Sequence, residues 1–485
     1  MFQKATIKIY LFYLISISFI LLNVFFMVKR NSVVVNALPV FLAILLVAIF
    51  SFDKIIYLIV LFAPLSLPLS ELIPGFSFDM YLPTEPLLVG VLTVFLLKLI
   101  YERGFDRQIL THPVSLAIYI NLIWIFLTSV TSTMPLVSFK FLLARIWFVA
   151  GLYFLTAKLF SEGKNIEKYI WLYVISLVIV IFYTLNRHLG YGLWNKEVAN
   201  FVPAPFYNDH TSYGAALAIY LPFLLMFSFG RIGTHKEKLI SIVAFGIVFT
   251  GFVLSYARAA WLSFIAAIAV YVVIKLKIRF KPLFITVVSL IVFFMVFQDQ
   301  ILMTLEQNSE QSSADIRTHI SSMSNITTDA SNLERINRWS CAIRMFEDKP
   351  VFGFGPGTYM FNYASYQLND DRTIISTNSA DGGNAHSEYL GPLSESGVLG
   401  LLTLFLVIGT VVYTAVHTYM RLTDKRLKSI VLAALLGLVT YYVHGFLNNF
   451  LDTDKLSVPF WGFTAMIVAI DIHSRNQIKA QKNPD

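Results

Sequence analysis

Residues 396–417 read SGVLGLLTLFLVIGTVVYTAVH, 22 positions without an Asp, Glu, Lys or Arg. A continuous apolar run of about 20 residues is the length of one bilayer-spanning helix and lacks the alternation of a barrel strand. Residues 418–428 (TYMRLTDKRLK) follow with Arg421, Lys425, Arg426 and Lys428, and a second apolar run begins at 429. The same alternation of apolar run and short connection extends outward over the chain. Further runs lie near 9–28, 33–52, 55–70, 83–100, 113–131, 136–157, 168–185, 211–229, 239–256, 260–275 and 283–298, with a last one at 456–471. This predicts an all-α polytopic transmembrane bundle of about 12–14 spans. The run at 55–70 contains Pro64 and Pro68 and is expected to be broken or re-entrant.

Composition agrees. Of 485 residues, 57% are hydrophobic and 14% charged, whereas soluble domains carry about 25% charged residues. A soluble multidomain protein, a disordered chain and a disulfide scaffold are excluded. Cys341 is the single cysteine, so no intramolecular disulfide and no cysteine metal site can form. The net charge of +8 fits basic loops of a membrane protein, and no nucleic acid is expected as a partner. The first run, about Tyr10 to Val28, is too long for a signal h-region, so no cleavable signal peptide is expected.

Basic residues orient the chain. Loops 231–238 (Arg231, Lys236, Lys238), 275–281 (Lys275, Lys277, Arg279, Lys281) and 418–428, with the tail residues Arg475, Lys479 and Lys482, are expected to face the cytoplasm. Lys29 and Arg30 conflict with this pattern, so the early spans are less constrained. Three segments follow: transmembrane helices over 1–298, about eleven of them; a long extracytoplasmic loop with short helices over 299–393; and transmembrane helices with a cytoplasmic tail over 394–485. In the loop, Leu333, Ile336, Trp339, Ile343 and Phe346 recur at a helical period and predict an amphipathic helix ended by Pro350 and the glycines of GFGPG. No internal repeat of the kind found in many transporters is present.

Several residues carry candidate chemistry. Arg258, in LSYARAAWLSF, sits at the outer end of two spans, where it is either an anion clamp or a snorkelling arginine. Arg335 and Arg338, three apart in ERINRW, share a helix face suited to phosphate, or else Arg338 pairs locally with Glu334. His386, in GGNAHSEYL, is a candidate proton acceptor or a plain loop histidine. His210 beside Asp209 is a second candidate, and His444 reads as a helix-packing polar residue. Arg187, Lys140 and Arg145 are further cations that can line a cavity for an anion. Gly353, Gly355 and Gly357 are a turn or an amide nest for an anion. Asp370, Asp371 and Asp381 have no diagnostic metal spacing, and no metal is expected.

The segments RINRWSCAIRMFEDKPVFGFGPGTY and NAHSEYLGPLSESGVLGLL resemble the O-antigen ligase and polymerase superfamily. The resemblance rests on Arg335, Trp339, Pro350, Gly353, Gly355, Gly357, Ala385, His386, Tyr389, Glu395, Gly397 and Gly400, preceded by Ser255, Arg258 and Trp261. It covers about residues 205–410, and Ser387 departs from the asparagine usual in the family. It implies a metal-independent transferase of GT-C type, without cofactor, in the bacterial inner membrane with its site facing the periplasm. Such enzymes move a glycan from undecaprenyl diphosphate to a hydroxyl of lipid A–core (ligase), of another lipid-linked repeat unit (polymerase) or of a protein side chain. By position, His386 would be the general base, and Arg258 and Arg335 would bind the diphosphate, with Arg338 and Arg187 as assistants. A lipid-linked glycan transporter is the competing class.

Overall fold

The computed structural model describes residues 10, 13–14, 16–25, 52–72, 80–101, 105–161, 163–230, 234–277, 334–368, 376 and 383–482. Helix α1 covers Phe52–Phe62, α2 Thr84–Tyr101, α3 Pro113–Val130 and α4 Pro135–Leu159. Helices α5 (Lys164–Tyr191), α6 (His210–Phe229), α7 (His235–Leu254) and α8 (Arg258–Lys275) follow. Then come α9 (334–348), α10 (Leu390–Arg421), α11 (Lys425–His444) and α12 (Asp454–Lys482). Ten of these, α2 to α8 and α10 to α12, are long and apolar enough to cross a membrane. The chain is an all-α polytopic bundle. Residues 33–51 of the run expected at 33–52 and the whole run at 283–298 lie outside the described residues, as do Lys29 and Arg30.

The proline-bearing run is broken, as its sequence predicts. After α1 the backbone forms a 3-10 turn at Ala63–Leu65 and then a two-residue strand, Leu67–Pro68, paired antiparallel with Tyr81–Leu82. Pro64 and Pro68 lack the N–H groups a helix would need there.

Helices α6 and α12 are the most buried spans among the described residues, and α12 carries Asp454, Lys455 and Asp471 inside the bundle. Their close approaches use small residues. A Cβ on Gly437 of α11 would lie 2.5 Å from the Ile219 carbonyl of α6, and one on Gly462 of α12 would overlap the Tyr169 hydroxyl of α5. Pro459 cannot donate to the Lys455 carbonyl four residues earlier, and the buried Tyr173 hydroxyl donates to that carbonyl instead, at 2.7 Å.

The ends of the helices divide the bundle into two faces. The C-termini of α6, α8 and α10, each next to basic residues in the sequence, lie at one. The other, the loop face, gathers the N-termini of α6, α8 and α10 and the C-termini of α7 and α11. Helix α9 forms where its period predicts it, but with a different face inward. Glu334, Asn337, Arg338, Cys341 and Met345 are buried, while Ile336 and Ile343 are about half exposed. The inward face meets the stacked rings of Tyr359 and Tyr363 and a set of polar partners, which the apolar stripe could not satisfy.

Candidate active site

The hairpin between α7 and α8 presents Arg258. Ser255 Oγ donates to the Phe252 carbonyl at 2.7 Å, and Trp261 Nε1 donates to the same carbonyl at 3.1 Å. Tyr256 adopts a left-handed φ of 51°, and its hydroxyl reaches the Leu193 carbonyl at 3.0 Å. Gly214 of α6 lets this hairpin approach, since a Cβ there would stand 2.6 Å from that of Ala257. Ser255 and Trp261 thus build the turn, and Arg258 is left exposed at its rim.

The GFGPG segment is a clasp. Thr133 N donates to the Phe354 carbonyl at 2.9 Å, which fixes the segment to the α3–α4 turn. Phe354 N and Gly355 N donate to the carbonyls of Ser394 and Glu395 at 3.2 and 2.7 Å. The Glu395 carboxylate accepts from Tyr359 N at 2.8 Å. This backbone is thus occupied by the chain's own carbonyls at 394–395 and by the Glu395 carboxyl. Gly355 has φ +112°, and a Cβ there would fall 1.9 Å from Ser132 Oγ. Gly397 has φ +69°, and a Cβ there would collide with the Val351 carbonyl.

His386 is held from both sides of its backbone. Its N–H donates to Asn384 Oδ1 at 2.9 Å and its carbonyl accepts from Trp339 Nε1 at 3.4 Å, with φ at +49°. Asn384 in turn donates to the Asn449 carbonyl at 3.2 Å. Ser387 does the local bonding its position requires, since its Oγ accepts from Tyr389 N and Leu390 N, both at 3.3 Å, and caps α10. Next to it, Glu388 Oε1 accepts from Tyr441 OH, Phe450 N and Leu451 N at 2.5, 2.8 and 2.9 Å. Burial, and then the charge of Asp452, push the Glu388 carboxyl above its ordinary range.

The five residues to which the resemblance gives roles fall into two sets. Arg338 is buried. Its Nε pairs with Glu334 at 2.9 Å, its Nη1 donates to the Asn384 carbonyl at 3.1 Å, and its guanidinium lies 5.2 Å from the Tyr363 ring centroid. The local pairing is realised, and Arg338 supports the histidine loop. Burial alone would raise Glu334, but hydrogen bonds from Ser376 and Arg338 outweigh it and hold the carboxyl below its usual range. Arg187 is engaged with its own loop. Its Nη1 donates to the carbonyls of Val202 (3.1 Å) and Ala204, and it lies over the Tyr183 ring.

Arg335 lies within electrostatic range of both Arg258 and His386. Burial pulls the Arg335 guanidinium below its ordinary value; Asp209 opposes that shift and Arg258 adds to it. Burial likewise holds the His386 imidazole down at about 4, with Arg338 and Arg335 adding to the effect and Asp209 and Glu334 opposing it. The imidazole is neutral at pH 7 and sits in a positive field.

Three further residues join this group. Asp209 N-caps α6, its Oδ1 accepting from Ser212 N at 2.7 Å, and it acts electrostatically on Arg335, His386 and His210. The ring of His210 feels Arg335 and Arg258, and its Nδ1 is buried with no hydrogen-bond partner among the described residues. His444, buried at the end of α11, faces Asp209, Arg335 and His210. Its place in a span made it read as a helix-packing residue in the sequence. No group of three or more potential metal-binding side chains occurs among the described residues, and Asp370, Asp371 and Asp381 lie outside them.

A polytopic helical membrane protein with a buried neutral histidine among arginines at one face is the class that fold and site define. Residues 243–405, about a third of the chain, match the family described as O-antigen ligase. The match runs from α7 into α10, includes Arg258, Arg335, Arg338 and His386, and supports the O-antigen ligase and polymerase superfamily that the motifs resemble. It supports a membrane glycosyltransferase of that type. No curated protein matches the chain.

Proposed function

We propose that the protein transfers a glycan from undecaprenyl diphosphate to an acceptor hydroxyl at its loop face, as a ligase acting on lipid A–core. The observation that carries this reading is the neutral His386 beside Arg335, within electrostatic reach of the site that also holds Arg258. By the excess of Lys and Arg on the opposite face, the loop face is extracytoplasmic, which in a bacterial inner membrane is the periplasm. No nucleotide is needed there, because the lipid diphosphate brings its own leaving group.

Arg258 and Arg335 would bind the diphosphate and neutralise the charge that grows on it as the anomeric C–O bond breaks. The acceptor hydroxyl would attack the anomeric carbon from the opposite side, which inverts its configuration. Its proton passes to His386, and the electron pair of the broken bond leaves with the diphosphate. Donor binding tunes the base: burial is the main depressant of His386 and the arginines add to it, so a diphosphate that offsets the arginines lifts its affinity for a proton. With arginines carrying the charge, the reaction is expected to proceed in EDTA.

The test is transfer in proteoliposomes with undecaprenyl-diphosphate glycan, comparing wild type with His386→Ala. Product on lipid A–core, lost in the variant, supports the ligase. Chain growth without that acceptor makes the protein a polymerase, and full activity of a normally expressed His386→Ala removes the base assignment.

A further inference from the structure

At the basic face, far from His386 along α10, the ends of α3, α10 and α12 meet around one buried carboxylate. Asp471 accepts from Thr418 Oγ1 at 2.6 Å and pairs with Arg421 Nη2 at 2.5 Å and Arg475 Nε at 2.7 Å. His112 Nε2 lies 3.1 Å from its Oδ2. That histidine also caps α3, its Nδ1 accepting from Val114 N at 3.2 Å. An accepting Nδ1 leaves the single proton on Nε2, so His112 is neutral. One carboxylate thus faces two guanidiniums, and the cluster keeps one net positive charge. Arg421 Nη1 and the Nη groups of Arg475 have no hydrogen-bond partner among the described residues.

These arginines form the floor of a cleft of about 330 Å³. That is within the range of about 300–1,000 Å³ of small-ligand sites. Its wall is apolar and faces outward: Phe405, Leu406 and Tyr413 are each 42% exposed or more. Gly409 lies between them, with nothing within 4 Å of the place a Cβ would take. Near the arginines, His417 stacks on Tyr413 with centroids 4.6 Å apart. A polar, cationic end below an apolar channel on the lipid-facing side of the bundle has the shape and charge order of a phospholipid.

We propose that this cleft binds one anionic glycerophospholipid from the leaflet at the basic face. Its phosphodiester would sit against Arg421 and Arg475, and an acyl chain would lie along Phe405, Leu406 and Gly409. The single net charge of the cluster matches a monoanionic phosphodiester, and a zwitterionic lipid adds an ammonium that the arginines repel.

Native mass spectrometry of the full chain in neutral detergent tests this, with equimolar phosphatidylglycerol and phosphatidylethanolamine added. Retention of one phosphatidylglycerol, at least tenfold over phosphatidylethanolamine, is expected. Arg475→Gln and Gly409→Leu should each reduce that retention fivefold or more. Arg421 and Thr418 still hold Asp471 when the half-exposed Arg475 is replaced, and Gly409 borders open space within a helix, so the lipid-free Arg475→Gln should melt near wild type and Gly409→Leu no lower than wild type. Equal retention of the two lipids, or phosphatidylglycerol retention unchanged in either variant, overturns the proposal.

Discussion

Arg338 Nη1 donates to the backbone carbonyl of Asn384 at 3.1 Å, two residues before His386, while its Nε is paired with Glu334. The arginine ties helix α9 to the histidine loop. Arg338→Ala removes one partner of a buried ion pair and leaves Glu334 uncompensated, at a cost of about 3–5 kcal/mol. A lowered melting temperature in detergent is expected, and it should be restored in part by the double variant with Glu334→Gln. Arg335→Ala should instead leave melting near wild type and lower the transfer rate by about 10²–10³, the loss typical of a missing charge stabiliser.

The depressed affinity of His386 for protons makes a definite pH profile. The base acts when unprotonated, and its value in the free protein is about 4 against an ordinary 6.5. The profile of kcat/KM, which reports the free enzyme, should therefore stay flat as pH falls through 6.5 and drop only toward 4. The profile of kcat should turn down at higher pH, because bound diphosphate raises the histidine. Coincident limbs near 6.5 would show that neither burial nor the neighbouring arginines depress the base.

Glycines at the clasp and in the spans should respond in opposite ways. Gly355→Ala places a Cβ 1.9 Å from Ser132 Oγ at φ +112°, so the clasp must open. A backbone conformation of that kind costs about 1–3 kcal/mol for an L-residue before the clash is counted. Gly246→Ala in α7 meets nothing within 4 Å and should raise helix stability by about 0.5–1 kcal/mol. Thermal melts of the two variants should move apart in sign.

The bundle was legible because bilayer spans are encoded locally, in apolar runs such as 396–417 and the basic turns between them. The hairpin holding Arg258 and the break at Pro64 were legible for the same reason. The site was legible only in part. Arg335 and Arg338 have the same local pattern, yet tertiary partners send one to Asp209 and Arg258 and the other to Glu334 and Asn384. Arg187 read as a free cation because the carbonyls that occupy it, at 201–204, form a loop whose path no local pattern fixes. His444 and Asp209 are far from His386 in sequence, and only the meeting of α6, α11 and the loop places them beside Arg335.

Glu388 acts as a latch and should tolerate loss of charge better than loss of its oxygen. Its Oε1 accepts from Tyr441 OH and from the amides of Phe450 and Leu451, and its carboxyl is already pushed toward the neutral form. Glu388→Gln keeps an acceptor there and should change stability by less than about 1 kcal/mol, while Glu388→Ala strands buried donors at about 1–3 kcal/mol for each. Denaturation of the two variants, followed by tryptophan fluorescence, separates these outcomes.

Asp209→Asn isolates the electrostatic part of the site. The side chain caps α6 through Oδ1, which accepts from Ser212 N and Thr211 Oγ1, and asparagine caps as well as aspartate. Melting should therefore stay close to wild type. The charge, however, raises the proton affinity of His386 and opposes the positive field of Arg335 and Arg258. Without it the imidazolium is less favourable, His386 is a weaker base, and the acidic limb of kcat moves to lower pH. Transfer should slow by about tenfold, less than the 10²–10⁴ that general base catalysis contributes, because the base is weakened and not removed. The variant should also bind the anionic donor more tightly, since a negative charge has left the diphosphate site. A lower kcat together with a lower KM is the signature, whereas a loss of melting temperature with KM unchanged would mean that Asp209 serves the helix cap alone.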